Sequence, residues 1–548
     1  MGGHEFLGGR LSSSSRLPAL AASLPLFEQQ GQGEHGLLRL LGDNGASIGS
    51  PVGGARFGGR GGKPRRREFQ GKVSPAHGER ACWGPVRLPG GARVHFHTFG
   101  CKANQYDTER MRQESQARGA VATNDRGAAD ICVVNTCTVT NAADAEAKRF
   151  IRRVKREDPR TQIVVAGCSA VLRAEEYAGM ESVASVVQGH DPVEVANAVL
   201  GVVAGRGPLV QLGMEPGLAG SHLEPIGAAI LDRREGATRG WLKIQDGCDR
   251  KCAFCATRIA RGASRSRAPE DIVREAHQLS RHHPELVLTG IHIGHYGRDL
   301  GSSISLSRLL IRLLERIPDV RFRLGSIEAT EIDGLLLELI RTSGGRIAPH
   351  LHMPLQSGSD SVLRRMKRWH TREAYRTRAV EVADALPRIG LGADIITGFP
   401  GETDADHQDT VRLVEELPFT YLHVFPFSSK DGTEASALPD PVPQRIAGER
   451  SRELRVLAQE KQRRYRVSRA GEASVVTLES EGRRALTGDY LRVQVKGGET
   501  RDLGRLHSGV LRCGLDDLYV ELRAASPSRG PWSVSAMERP ERFHVSSA

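Results

Sequence analysis

Lys243-Ile-Gln-Asp-Gly-Cys248-Asp-Arg-Lys-Cys252-Ala-Phe254-Cys255 is the stretch that decides how this 548-residue chain is read. Three cysteines share one short loop, with three residues between the first pair and two between the second. A [4Fe–4S] cluster has four irons, so three thiolates leave one iron open to a ligand from outside the protein. Zinc is the alternative. It usually takes four ligands grouped in pairs, and no further Cys or His follows closely here.

Downstream of the loop the pattern is repeated strand and helix. Pro269 opens the helix APEDIVREAHQLSRHH, a good start signal. ELVLTGI (285–291) reads as a buried strand, and Leu306, Leu309, Leu310, Leu313, Leu314 and Ile317 share one helix face. VRFRLGSI (320–327), LGADIITG (391–398) and YLHVFPF (421–427) read as further strands, and a basic helix covers roughly 443–468. Such βα units over 236–468 predict a full or partial barrel. Residues 469–525 change to short strands with glycine turns, ASVVTLESEG, YLRVQVKG and LYVELRA. They predict a small β-barrel of the kind that holds RNA by shape and charge.

Upstream, VHFHTFGC (94–101), ICVVNTC (131–137) and QIVVAGC (162–168) read as strands that each end in a cysteine, with helical patterns such as AEAKRFIRRVKRE (145–157) between them. That alternation predicts a parallel α/β domain over 92–205. Sites in such sheets lie at the carboxyl ends of the strands, so Cys101, Cys137 and Cys168 form a candidate second three-thiolate site. Three buried structural cysteines are the alternative. Cys132 reads as a buried strand residue, and Cys82 and Cys513 fit no site. His95, His97, His292, His295, His350 and His352 read as core or pocket-lining histidines rather than metal ligands.

The formal charge is +12 and the pI about 9.5. That surplus favours a polyanionic partner, nucleic acid first, with a solvated basic surface as the plainer reading. Nine cysteines, an odd number, argue against a secreted disulfide framework and for a reducing compartment. No apolar run approaches the roughly 20 residues of a membrane span. Residues 1–91 are Gly/Ser/Arg-rich, with Lys63-Pro64-Arg65-Arg66-Arg67, and read as disordered, as does the tail 526–548. The first segment is read equally as a transit segment or an overlong start.

Finer motifs carry a resemblance. TFGCKANQYDTE (98–109), NTCTVTNAAD (135–144), KIQDGCDRKCAFC (243–255), HLHMPLQSGSD (350–360) and DIITGFPGET (394–403) resemble the radical S-adenosylmethionine (SAM) methylthiotransferases over about 94–523. The resemblance implies an auxiliary-cluster domain, a radical SAM partial (β/α) barrel and a C-terminal TRAM barrel. It implies two [4Fe–4S] clusters, one on Cys101, Cys137 and Cys168, the other on Cys248, Cys252 and Cys255, with SAM on the open iron of the second. The first cluster would hold the sulfur that is transferred. Phe254 would lie near the adenine of SAM, or is simply a buried ring. Ser326, Glu328, Gln356, Gly398 and Pro400 would line the SAM pocket, or are ordinary turns and caps. Arg261, Arg265 and Arg267 would contact substrate phosphates, or form surface salt bridges; Ala263 stands where the family often has a basic residue.

GCKANQYDTE, TGIHIGHYGRDL (289–300) and LHVFPFSSKDGTEA (422–435) resemble the branch acting on N6-threonylcarbamoyladenosine just 3′ of the anticodon. The expectation is a cytoplasmic tRNA methylthiotransferase that draws electrons from a flavodoxin or ferredoxin. The rivals are action on isopentenyladenosine, action on a ribosomal-protein aspartate, and a non-enzymatic zinc and RNA-binding protein.

Overall fold

The computed structural model describes residues 91–203, 209–211, 230–496, 503–514 and 517–523, with Thr140 and Ser302 excepted. The disorder expected for 1–91 (Gly91 apart) and 526–548, the basic run at 63–67 and Cys82 lie outside the described residues. Among the described residues, no helix is long and apolar enough to cross a membrane.

The first part is a parallel sheet in the order Val121–Ala122, Arg93–Thr98, Ile131–Thr136, Gln162–Gly167, Val183–Val187, Leu209–Gln211. Every residue of Ile131–Thr136 is buried, because helices cover both faces of a parallel sheet. On one face Val94, Phe96 and Val133 pack with Met111 of helix Lys102–Ala117 and Val195 and Val199 of helix Pro192–Val203. On the other, Cys132 and Val134 pack with Ala147, Phe150 and Ile151 of helix Asn141–Glu157. Burial pushes the Cys132 thiol up to about 12, so it stays protonated.

The middle part has two parallel sheets of three strands each among the described residues. Arg239–Lys243, Glu285–Thr289 and Arg321–Leu324 form one; His350–His352, Gly390–Thr397 and Tyr421–Pro426 form the other. Parallel bridges Phe322 to Ile347 and Ser326 to His352 join them into a partial barrel. Local signals set the outer helices. Pro269 starts Pro269–Ser280; Ser305 accepts from the Arg308 N–H to cap Leu306–Arg316; Thr403 and Asp406 form a capping box for Asp404–Glu416. Leu306, Leu309, Leu310 and Leu313 are buried, as the periodicity requires, each worth roughly 1.5–3 kcal/mol.

The last part is a closed barrel of Ala473–Glu479, Arg484–Thr487, Arg492–Lys496, Leu518–Leu522 and Leu506–Cys513. It is fixed to the strand beginnings of the middle part by a buried charge knot. Arg321 Nε donates to Glu285 at 2.6 Å and Arg323 Nε at 2.8 Å, while Arg321 reaches Val475 O and Thr477 Oγ1 at 2.7 Å each. Arg323 donates to Gly488 O at 2.8 Å and Thr487 O at 2.9 Å. Burial alone would raise Glu285, but Arg321 and Arg323 outweigh it and hold the carboxyl well below its usual range.

Candidate active site

The cysteine loop begins where strand Arg239–Lys243 ends. Gly247 has φ +71°, and a Cβ there would lie 1.9 Å from Ala263 O, so only glycine lets the loop fold back this tightly. Cys248 N–H donates to Gly262 O at 3.1 Å, and Gln245 Nε2 donates to Gly247 O at 2.7 Å and Ser264 Oγ at 2.9 Å. Ala253 N–H is held by Met366 O at 3.0 Å. Cys248, Cys252 and Cys255 are each half-exposed. Cys248 Sγ lies 3.5 Å from His292 Nδ1, and Arg368 Nη1 lies 3.7 Å from Cys252 Sγ. Burial pushes the Cys248 thiol up to about 12 and raises that of Cys252. Three thiols on one constrained loop, with no fourth thiol beside them among the described residues, fit three irons of a cluster.

The second thiol set is built by strand ends. Cys137 follows Ile131–Thr136 directly, Cys168 follows Gln162–Gly167 directly, and Cys101 caps helix Lys102–Ala117. Gly100 (φ +101°) lets the chain pass, since a Cβ there would sit 2.5 Å from Cys137 Sγ. Gly167 (φ +94°) does the same against Asn135 Oδ1 at 2.2 Å and Thr136 O at 2.4 Å. Burial pushes the Cys137 thiol up to about 12, with Cys101 and Cys168 adding to the rise, so the three sulfurs act on one another. This donor set also fits three irons.

Arg261, which follows the cysteine loop, binds Cys168 of the second set, and this corrects the expectation of a phosphate contact. Its side chain is 1% exposed. Its guanidinium donates to Cys168 Sγ at 3.1 Å, Asn104 Oδ1 at 2.5 Å, Asp107 Oδ2 at 2.8 Å and Asp246 at 3.0 and 3.1 Å. Burial alone would raise Asp246, but Arg261 and Lys243 hold it well below the usual carboxylate range. Arg267 is corrected likewise: it is buried and donates to Glu275 Oε2 at 2.9 Å and to Tyr106 OH at 3.3 Å. Neither can reach RNA, because each is spent on carboxylates that seat the first part on the second. Arg265 is only half-buried.

Of the expected SAM-pocket residues, Glu328 accepts from Arg368 Nη2 at 2.6 Å, which ties it to Cys252 through the same guanidinium. Gln356 has φ +73° and bridges to Ile395; Ser326 is exposed and pairs with His352. Phe254 is half-buried against the cluster that includes Met366 and Phe399. At Gly398 (φ +73°) the space a Cβ would take lies 2.3 Å from Ala447 Cβ, so the glycine admits helix Gln444–Ser468. Pro400 is buried beside it.

Sequence reading missed several neighbours of the sulfurs. Arg368 and Glu331, which joins His292 at 2.8 Å and His295 at 3.0 Å, carry no motif of their own, and Asn104 lies in the 98–109 motif with nothing to single it out. A buried Arg two residues past a methionine, in MKRW, gave no distinguishing signal. His352 and His423 likewise flank Asp394 at 3.0 and 3.1 Å. In each of these two clusters the imidazole and carboxylate atoms lie within 4.8 Å of one another.

Residues 93–189 match the uncharacterized protein family UPF0004, and residues 242–414 match the radical SAM superfamily. The threonylcarbamoyladenosine tRNA methylthiotransferase MtaB of Bacillus subtilis is 36% identical, over 74% of this chain and 91% of its own. That of Thermotoga maritima is 33% identical, over 80% and 99%. The tRNA-2-methylthio-N(6)-dimethylallyladenosine synthase of Bacillus subtilis is 29% identical, over 72% and 78%.

Proposed function

The chain belongs to the radical SAM methylthiotransferases, in the threonylcarbamoyladenosine branch, and from that premise we propose that it converts N6-threonylcarbamoyladenosine beside the tRNA anticodon to its 2-methylthio form. It is an enzyme that uses an iron–sulfur cluster and SAM. The observation that carries the fuller reading is the pair of three-thiol sets, with Arg261, from the segment after the first loop, donating to Cys168 of the second. Two clusters, one on Cys248, Cys252 and Cys255 and one on Cys101, Cys137 and Cys168, are part of the proposal. When bound, they and SAM would supply an electron, the means of taking hydrogen from carbon, and the methylated sulfur. The C2–H bond of adenine is strong and unactivated, beyond acid–base chemistry, which is why a thiol-ligated redox centre is needed.

The protein's own residues hold and orient. Gly247 and Gln245 fix the loop; Arg368 sets Cys252 against Glu328; Arg261 and Asn104 hold Cys168. Phosphate contacts pass from Arg261 and Arg267 to the exposed Arg149, Arg152, Arg153 and Arg156 of helix Asn141–Glu157. The C-terminal barrel is a TRAM-like tRNA grip. A flavodoxin or ferredoxin is the electron donor, and the site of action is the cytoplasm.

Nucleoside mass spectrometry of a deletion strain tests the activity: the methylthio form of threonylcarbamoyladenosine should vanish, and an unchanged level refutes the reading. Iron counting tests the clusters. Anaerobically reconstituted protein should hold about eight irons. With Cys101, Cys137 and Cys168 replaced by Ala it should hold half, keep SAM cleavage and lose thiolation. Zinc in place of iron would favour a non-enzymatic protein.

A further inference from the structure

Lys102 follows Cys101 directly and opens helix Lys102–Ala117. Its side chain is half-buried, with Nζ 5.9 Å from the Trp241 ring centroid and 5.9 Å from that of Tyr490. Among the described residues it has no carboxylate, carbonyl or hydroxyl partner. The other cations over these rings are answered: Arg239 by Glu285 and Glu479, Arg323 by Glu285, and Arg234 by Gln105 and a carbonyl. The helix adds to the excess of positive potential, since its first turn holds no acidic residue and Cys101 makes no side-chain cap. A half-buried ammonium whose neighbours are ring faces is suited to an anionic group.

The surroundings suit a purine with a polar arm. Tyr490 stacks on His350 at 4.3 Å and lies 5.5 Å from Tyr421, which lies 5.4 Å from His423. His350 is 3% exposed, and its Nδ1 has no hydrogen-bond partner. Tyr421, His423 and Phe425 are each partly exposed along the barrel interior. This is a run of flat rings with the unanswered cation at one end and an unpartnered imidazole nitrogen beside it.

Resting on the activity proposed above, we infer that Lys102 is the specificity-determining residue that reads the carboxylate of the threonylcarbamoyl group. An isopentenyl arm has no charge to offer it. In adenine, C2 and C6 flank N1, so the carbon to be thiolated and the arm on N6 share one edge of the ring. The cluster ligand Cys101 and the cation Lys102 are likewise neighbours in the chain.

The test uses the full-length, reconstituted enzyme and anticodon stem-loops carrying threonylcarbamoyladenosine, its methyl ester, or isopentenyladenosine. The wild type should show a KM for the ester roughly tenfold or more above that for the acid, the scale of a lost charge-assisted hydrogen bond. K102M should raise the KM for the acid to that of the ester, and K102R should restore most of the difference. Iron content and SAM cleavage without RNA should match the wild type in both variants. Equal KM for acid and ester in the wild type, or a wild-type KM for the acid in K102M, overturns the inference. The first comparison needs no variant, so it stands even if K102M loses iron. A wild type inert on threonylcarbamoyladenosine but active on isopentenyladenosine overturns the branch reading, and this inference with it.

Discussion

Replacing Arg261 by Met should loosen the seat between the auxiliary domain and the barrel more than any other single change at that boundary. Arg261 answers Asp107 and Asp246, both at most 3% exposed. Without it, those two carboxylates share the single ammonium of Lys243, at 2.6 and 2.7 Å, with His190 adding a hydrogen bond to Asp246 at 2.9 Å. One buried negative charge is then left over. Breaking a buried pair in this way costs about 3–5 kcal/mol. At a urea m-value of about 3 kcal/mol/M the midpoint falls by about 1–1.7 M. The assay is anaerobic urea unfolding of iron-free protein, read by tryptophan fluorescence, to which Trp241 contributes through an indole N–H that donates to Gln105 across the same boundary at 3.1 Å. Adding Asp107→Asn to R261M should recover part of the loss, because it removes the surplus charge. A midpoint shift below about 0.3 M, or no relief in the double variant, would refute the reasoning.

Three further outcomes follow from the same structure. Gly247→Ala must displace the backbone at Ala263, so the protein should bind about half the wild-type iron and fail to cleave SAM; full iron would show that the loop can relax. Burial holds His97 and His283 at about 4, below the ordinary 6.5, so the unfolded chain takes up their protons first as the pH falls. Stability should therefore be flat above pH 7 and drop by about 2 kcal/mol per histidine by pH 5, while His97→Phe, which keeps the stack on Phe150, removes its share. Equal urea midpoints at pH 7.5 and 5 would contradict this. Arg149→Glu with Arg152→Glu should weaken tRNA binding and flatten its salt dependence by about two counterions while leaving iron content unchanged; an unaltered salt slope would move the RNA face elsewhere.

The strands that carry the cysteines were legible because a strand buried on both faces is a continuous apolar run, as in ICVVNT, and because a thiol at its end has few plain uses. The barrel helices were legible from leucine spacing and caps. The arginines were not. Arg261 and Arg267 stand in a polar stretch that reads as surface, and VRFRL alternates as a half-exposed strand should. Their partners, Asp107, Glu275 and Glu285, come from other elements, and periodicity sees only neighbours along the chain. The polar side of Arg321–Leu324 faces the C-terminal barrel instead of water. Two strands of that barrel, Arg484–Thr487 and Leu506–Cys513, also escaped notice, since their apolar positions are interrupted by Arg, Gly and His.

The knot at Glu285 turns the last domain into a gauge block. Because Arg321 and Arg323 clamp it at the strand beginnings, beside strand Arg239–Lys243 whose far end leads into the Cys248 loop, its offset from that loop is set by strand length, about 16 Å for five residues. If that barrel grips tRNA as proposed, the RNA would be presented at one fixed depth from the loop, without a tether to take up slack. Grafting this module onto a relative would need these two arginines and their glutamate to travel with it.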